Sequence, residues 1–352
     1  VFAPPPLPRS LEAAFRDLDS EKASTRASSI RDVVRHALRS DSTRARAIGR
    51  LRIALERDAA PGVRSEAAVA LADLAAHEAL PVLLVAVEDE DALVRQMAIA
   101  SLGEIGDRRA VPRIDRALRD DRPEVRYQAV IAFARLAKDE PSAVAAALLR
   151  ALDDGDAAIR YIAMRVAEEQ DADGTPLGDD ALAARAEQLA DGSDEALAAV
   201  AVLYLARLGK ERGRQGVLDF VAERRATPEL EDEQACVELA GELDLREAMP
   251  DLERRAWGAR RFLRALLSWG AGDRASCAWH ARIALARMGH PRAESEILGE
   301  LRSWRREVRE AAVVAAGRAR LRKAQGVLRE LTEGGAVDAA LVREALVRLA
   351  VD

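Results

Sequence analysis

The chain has 352 residues, 49% hydrophobic and 32% charged, a balance that excludes bulk disorder and collagen-like structure. Aromatics are 3%, with 21 Gly and 13 Pro, which argues against an all-β sandwich or barrel and leaves an Ala/Leu/Arg/Glu-rich helical chain. The net charge of −6, from 54 basic and 60 acidic residues, disfavours nucleic-acid binding over the whole body and leaves room only for a local basic patch.

Residues 1–19 read as a lead-in. The opening VFAPPPLPRS favours extended polyproline II. The chain begins at Val1 without a signal-peptide pattern, so a segment trimmed upstream is expected. No uncharged run approaches the roughly 18–20 residues a membrane-spanning helix requires, so no membrane insertion is expected. Cys236 and Cys277 form no disulfide framework, which fits a reducing compartment and a cytoplasmic location.

Residues 20–352 read as one array of helical hairpins, clearest over 58–165 and 296–352 and irregular over 177–295. Val63-Arg64, Val94-Arg95 and Val125-Arg126 recur 31 residues apart. Each pair is followed by Ala67, Ala98 or Ala129 at the fourth position beyond the hydrophobic residue. Leu71, Leu102 or Phe133 stands at the eighth, and Leu74, Ile105 or Leu136 at the eleventh. Such offsets mark one stripe of an α-helix. Ile159-Arg160 with Ala163, Val308-Arg309 with Ala312, and Val342-Arg343 continue the series. Between them lie shorter helical segments opened by Pro81, Pro112 and Pro250, where the missing N–H costs nothing in the first helical turn. The linking turns are rich in Asp, suited to capping the second helix, and Gly106 stands where a helix ends.

The stretch AVPRIDRALRDDRPEVRYQAVIAFARL at 110–136 resembles HEAT repeats, specifically the short HEAT-like type first associated with phycobilisome lyases. The resemblance implies an all-α, right-handed α-solenoid of about ten hairpins, whose stability comes from neighbouring repeats. It also implies an Asp–Arg ladder. Arg64, Arg95, Arg126 and Arg160 would each span carboxylates of adjacent turns, an architectural role that suits a side chain repeated in every unit.

Two surfaces are candidates for a partner. If the second helices line a concave face, Met97, Tyr127, Ile131 and Tyr161 form an apolar strip across adjacent units, with ordinary core packing as the alternative. The other is a charge zone. Residues 139–245 carry 25 acidic and 10 basic side chains, net −15, and residues 246–332 carry 10 acidic and 19 basic, net +9. The basic zone holds Trp257, Trp269, Trp279 and Trp304. Arg254, Arg255, Arg260, Arg261 and Arg264 stand near Trp257, and Arg302, Arg305, Arg306 and Arg309 near Trp304. Arginine interleaved with tryptophan can hold phosphates and stack bases, or grip an acidic protein segment. A solvated charged face over core tryptophans reads equally well.

Motifs that spell chemistry lack their context. Asp171-Ala-Asp173-Gly174-Thr175 follows a helix tail instead of the strand a phosphatase nucleophile needs, and as a calcium loop it has Pro176 and Leu182 where Gly and Glu belong. His77-Glu78 is a single copy of the pair that HEAT-like di-iron hydroxylases repeat. Cys277 and His280 are two ligands where structural zinc takes four. The reading is therefore a scaffold for another protein, with no enzymatic activity, cofactor or metal. The alternative is a nucleic-acid or phosphate-binding module using residues 254–309.

Overall fold

The computed structural model describes residues 9–169, 177–258, 272–333 and 335–350, and within them the chain is helical with no strand. The VFAPPPLP opening, the 171–176 motif, Arg260, Arg261, Phe262, Arg264 and Trp269 lie outside the described residues. The chain divides into two units, Val1–Leu182 and Ala183–Asp352.

In the first unit, α1 (Leu11–Asp17), α3 (Asp41–Arg57), α5 (Leu80–Ala86), α7 (Val111–Ala117) and α9 (Pro141–Ala151) are the first helices of five hairpins. Their second helices are α2 (Ala23–Ala37), α4 (Pro61–Asp73), α6 (Ala92–Ile105), α8 (Pro123–Leu136) and α10 (Ala157–Glu168). Each first helix packs on its own second helix, and the second helices stack in sequence, α2 on α4, α4 on α6, α6 on α8 and α8 on α10. This layered arrangement is an α-solenoid, in which every hairpin finishes its neighbour's core.

The sequence accounts for the regularity. Ala67, Ala98, Ala129 and Ala163 are fully buried at the helix crossings, with the stripe residues Val63, Val94, Val125 and Ile159 beside them. A larger side chain at the alanine positions would overpack contacts already at crystal-like density. Asp91 and Asp156 accept from the first free N–H groups of α6 and α8's successor α10. Gly106 ends α6 at φ 76°, a conformation that costs glycine nothing.

The second unit contains α11 (Asp180–Ala190, across the division), α12 (Glu195–Arg207), α13 (Glu211–Val221), α14 (Leu230–Glu242), α15 (Met249–Trp257), α16 (Gly272–Arg287), α17 (Pro291–Glu300), α18 (Arg306–Arg318), α19 (Gln325–Glu333) and α20 (Ala339–Ala350). The even-numbered second helices again stack, α12 on α14, α14 on α16, α16 on α18 and α18 on α20. Every residue of α12 from Leu197 to Ala206 is buried, Tyr204 included, as a helix apolar on all sides requires. At the α14–α16 crossing the backbones approach so closely that a Cβ on Gly241 would sit 2.5 Å from the Ala284 Cα.

Candidate interaction surfaces

The turn edge of the first unit carries a continuous chain of ion pairs. Arg26 donates through Nε and Nη2 to both carboxylate oxygens of Asp58, each at 2.7 Å. Arg64 holds Asp89 in the same way at 2.9 and 2.7 Å, Arg95 holds Asp120 at 2.8 Å twice, and Arg126 holds Asp154 at 2.8 and 2.9 Å. The remaining nitrogen, Nη1, turns back to a carbonyl of the preceding turn. Arg64 thus donates to Asp58 O, Arg95 to Asp89 O, Arg126 to Asp120 O and Arg160 to Asp154 O, at 2.9–3.0 Å. Arg64, Arg95 and Arg126 therefore each bridge a carboxylate on one side and a backbone carbonyl on the other, whereas the repeat pattern had suggested carboxylates on both.

The ladder carboxylates also accept the backbone N–H two residues on: Asp58 from Ala60, Asp89 from Asp91, Asp120 from Arg122, Asp154 from Asp156. The Arg126 guanidinium holds Asp154 below the usual carboxylate range against the opposing effect of burial. At Asp58 and Asp120 burial is the largest influence and acts upward. Arg26 and Arg95, with the Ala60 and Arg122 N–H groups, outweigh it, and both carboxyls lie low. Arg26 is a rung that the Val-Arg pattern does not reveal, because Thr25 holds the hydrophobic position.

Met97 on α6, Tyr127 and Ile131 on α8, and Tyr161 on α10 are all half-buried, on the stacked second helices of the first unit. Gln96 and Gln128 beside them are half-buried too, so this face mixes apolar area with amide groups. At its end Arg165 donates to the Tyr161 hydroxyl at 3.3 Å and lies 5.8 Å from the ring centroid, while Nη1 pairs with Glu168 at 3.1 Å.

The second unit adds ion pairs between the second helices themselves. Glu238 of α14 accepts from Arg318 of α18 at 2.9 Å and is hydrogen-bonded to His280 Nδ1 of α16. Burial works to raise the Glu238 pKa, yet His280 and Arg318 hold it below the usual value. Glu242 lies between Arg207 at 3.3 Å and Arg287 at 3.5 Å. Trp279 stands edge-on to His280 with Arg318 over its ring at 5.7 Å. Only His280 and Trp279 of this network were conspicuous in the sequence, and for other reasons.

The arginine–tryptophan zone separates into engaged and open members. The Arg255 side chain is only 7% exposed, donating to the Val221 and Phe220 carbonyls and to Glu233 at 2.6–2.7 Å. Trp257 gives its indole N–H to Glu296 at 3.0 Å, lies 5.3 Å from the His290 ring and carries Arg292 at 4.2 Å over its face. Arg254 pairs with Asp251, and Arg306 with Glu310 at 2.8 Å. Trp304 is 88% exposed, and Arg302 and Arg305 are exposed beside it. Among the described residues no three His, Cys, Asp or Glu side chains form a metal-holding group, and no helix is long and apolar enough to cross a membrane.

Known proteins place this architecture. Residues 48–134 match the family described as HEAT repeats. No curated protein matches the chain. The solved structure of YibA from E. coli is similar with a TM-score of 0.51 at 18% identity, over 77% of this chain and 92% of that one. A structure of Kap95p with RanGDP gives 0.51 at 14% identity, over 96% of this chain and 51% of that one. The CpcE–CpcF phycocyanin lyase complex from Nostoc sp. PCC7120 gives 0.44 at 19% identity, over 71% and 96%. The matched repeats lie inside the stacked hairpins of the first unit, so residues 48–134 carry HEAT repeats, and the second unit is built on a similar plan of stacked helical hairpins.

Proposed function

We propose that the protein is a non-catalytic scaffold that holds another protein on the second-helix face of its first unit. The observation that carries this reading is the half-buried row Met97, Tyr127, Ile131 and Tyr161 on three successively stacked helices. Tyr gives a large contact area with few degrees of freedom to freeze, the flexible thioether of Met adapts to the surface it meets, and an extended face collects many modest contacts. Kap95p, similar in fold, is seen bound to another protein, RanGDP, which is in keeping with this use of the architecture.

A protein partner is favoured over nucleic acid by the state of the basic zone. Arg255, Trp257 and Arg306 are committed to partners within the chain, so few of its described arginines and tryptophans are left to hold phosphates or stack bases. The cytoplasmic setting inferred from cysteine usage belongs to the same proposal.

The test is capture of partners from the native lysate with the Tyr127→Ala, Tyr161→Ala double variant. Specific capture is expected to fall about tenfold, the loss of two aromatic anchors, while helicity is retained. Unchanged capture by a folded variant removes this face from consideration.

A further inference from the structure

A turn edge that is acidic in the first unit becomes basic and aromatic at one place in the second. In the sequence of the α7–α8 turn, Asp120 is followed by the exposed Asp121 ahead of Val125-Arg126. In the α17–α18 turn, Ser303 and Trp304 occupy those places ahead of Val308-Arg309. Trp304 therefore stands where a repeat of this type carries a solvated acid. It is the most exposed large apolar side chain among the described residues, at 88%. Arg305 lies 5.9 Å from its ring centroid, and neither Arg305 nor Arg302 pairs with a carboxylate among the described residues.

The complementary surface is on the first unit. The Glu90 and Asp121 side chains are 88% and 83% exposed, each being the acid that follows a ladder carboxylate; one oxygen of each leans on a ladder arginine, Arg64 at 3.6 Å and Arg95 at 3.1 Å, and the rest of each carboxylate faces solvent. Leu93, at the start of α6 just beyond Glu90, is 49% exposed and supplies apolar area. One chain thus carries an aromatic–cationic turn and an acidic edge with an apolar seat.

We propose that the Trp304 turn of one molecule docks on the Glu90–Leu93–Asp121 edge of a second copy of this chain. Arg302 and Arg305 meet the two acids, and Trp304 covers Leu93. Tryptophan and arginine are the residue types that dominate interface energetics, and opposite charge steers the encounter. The two patches differ, so the contact is head-to-tail and can continue from copy to copy. It uses neither Tyr127 nor Tyr161, so it stands or falls apart from the scaffold reading.

Sedimentation velocity on the full chain across a range of concentrations, at low and high ionic strength, tests this. The expected result is a mass that grows with concentration at low ionic strength and returns to a single chain at high. Trp304→Ala should weaken association at least about tenfold while circular dichroism stays unchanged. Arg302→Ala with Arg305→Ala, and Glu90→Lys with Asp121→Lys, should each yield single chains. Mixed together these two variants should form pairs and nothing larger, because each retains one intact patch. A wild-type chain that stays single at every concentration overturns the proposal, as does a mixture that stays single. So does a Trp304-dependent complex that appears only with an oligothymidine probe, which would make the turn a nucleic-acid contact.

Discussion

The two units use one hairpin plan and tie their hairpins together differently. In the first, Arg26, Arg64, Arg95 and Arg126 reach from each second helix to the aspartate of the next turn, and the bonds run along one edge. In the second, Glu233 and Ala278 stand at the corresponding places of α14 and α16. Glu233 instead takes Arg255 from α15, a rung with the charges reversed. Glu238 and Glu242 draw in His280, Arg318, Arg207 and Arg287 from neighbouring second helices. Hairpins can thus be joined at the turns or along the helix faces. Joining them at the turns keeps the ladder's salt bridges off the second-helix face on which Met97, Tyr127 and Ile131 lie, where the Arg165–Glu168 pair stands at one end beside Tyr161.

The largest effect is expected from breaking a rung in the middle of the ladder. The Arg95 and Asp120 side chains are each only 13% exposed, and Arg95 also satisfies the carbonyls of Asp89 and Glu90. Arg95→Ala leaves a shielded carboxylate and two carbonyls without their donor, at a cost of about 3 kcal/mol. Thermal melting should show a drop in midpoint of several degrees. Removing both partners, Arg95→Ala with Asp120→Ala, should recover part of that loss, since no lone charge remains. A single variant as stable as wild type would show that packing alone sets the order of the first unit.

How much of this could be read in advance follows from the chemistry at each position. The hairpins of α4, α6 and α8 were legible because Val, Arg and Ala recur at fixed offsets and each maps onto a packed contact. Arg26 was hidden by Thr25 at the stripe and by a 38-residue spacing to Arg64. In the second unit the stripe position of α14 is Asp232, which is fully buried, so hydrophobic periodicity misplaces that helix's inner face. The Glu238–His280–Arg318 cluster has no local signature at all, since its outer members are 80 residues apart and meet only through stacking. The burial of Arg255 and the engagement of Trp257 depend likewise on the neighbours that tertiary packing brings.

Helix spacing sharpens the comparison with a smaller expected effect. A Cβ on Gly103 of α6 would meet the Ala132 Cβ at 3.1 Å and its Cα at 3.2 Å, closer than usual by only a few tenths of an ångström. On Gly241 of α14 it would come within 2.9 Å of three Ala284 backbone atoms. Gly241→Ala therefore has to push two helices apart and is expected to cost about 2 kcal/mol by overpacking. Gly103→Ala gains helix propensity and needs only a small shift, so its net change should be under about 1 kcal/mol. Equal denaturant midpoints for the two variants would mean that the α14–α16 crossing is looser than its geometry.

A smaller cost than at Arg95 or Gly241 is expected where the second unit keeps the Arg of the ladder without its Asp. Arg309 donates to Ser303 O of the preceding turn at 2.8 Å, as a ladder arginine does, and to Ala336 O of the following turn at 2.7 Å, where a ladder arginine meets its aspartate. Its Nε, the atom that meets Asp Oδ2 in each complete rung, has no hydrogen-bond partner among the described residues. Two bonds to neutral carbonyls, offset by one unmet donor, make Arg309→Ala worth about 1 kcal/mol, a third of the cost at Arg95. The more telling change is Ala336→Asp, which brings a carboxylate into the turn that Arg309 already reaches. If the aspartate, and not the arginine, is what the second unit lacks, this variant should melt higher than wild type, and the gain should vanish when Arg309→Ala is added. A gain that survives loss of Arg309 would have another origin, and the turn would not be an incomplete rung.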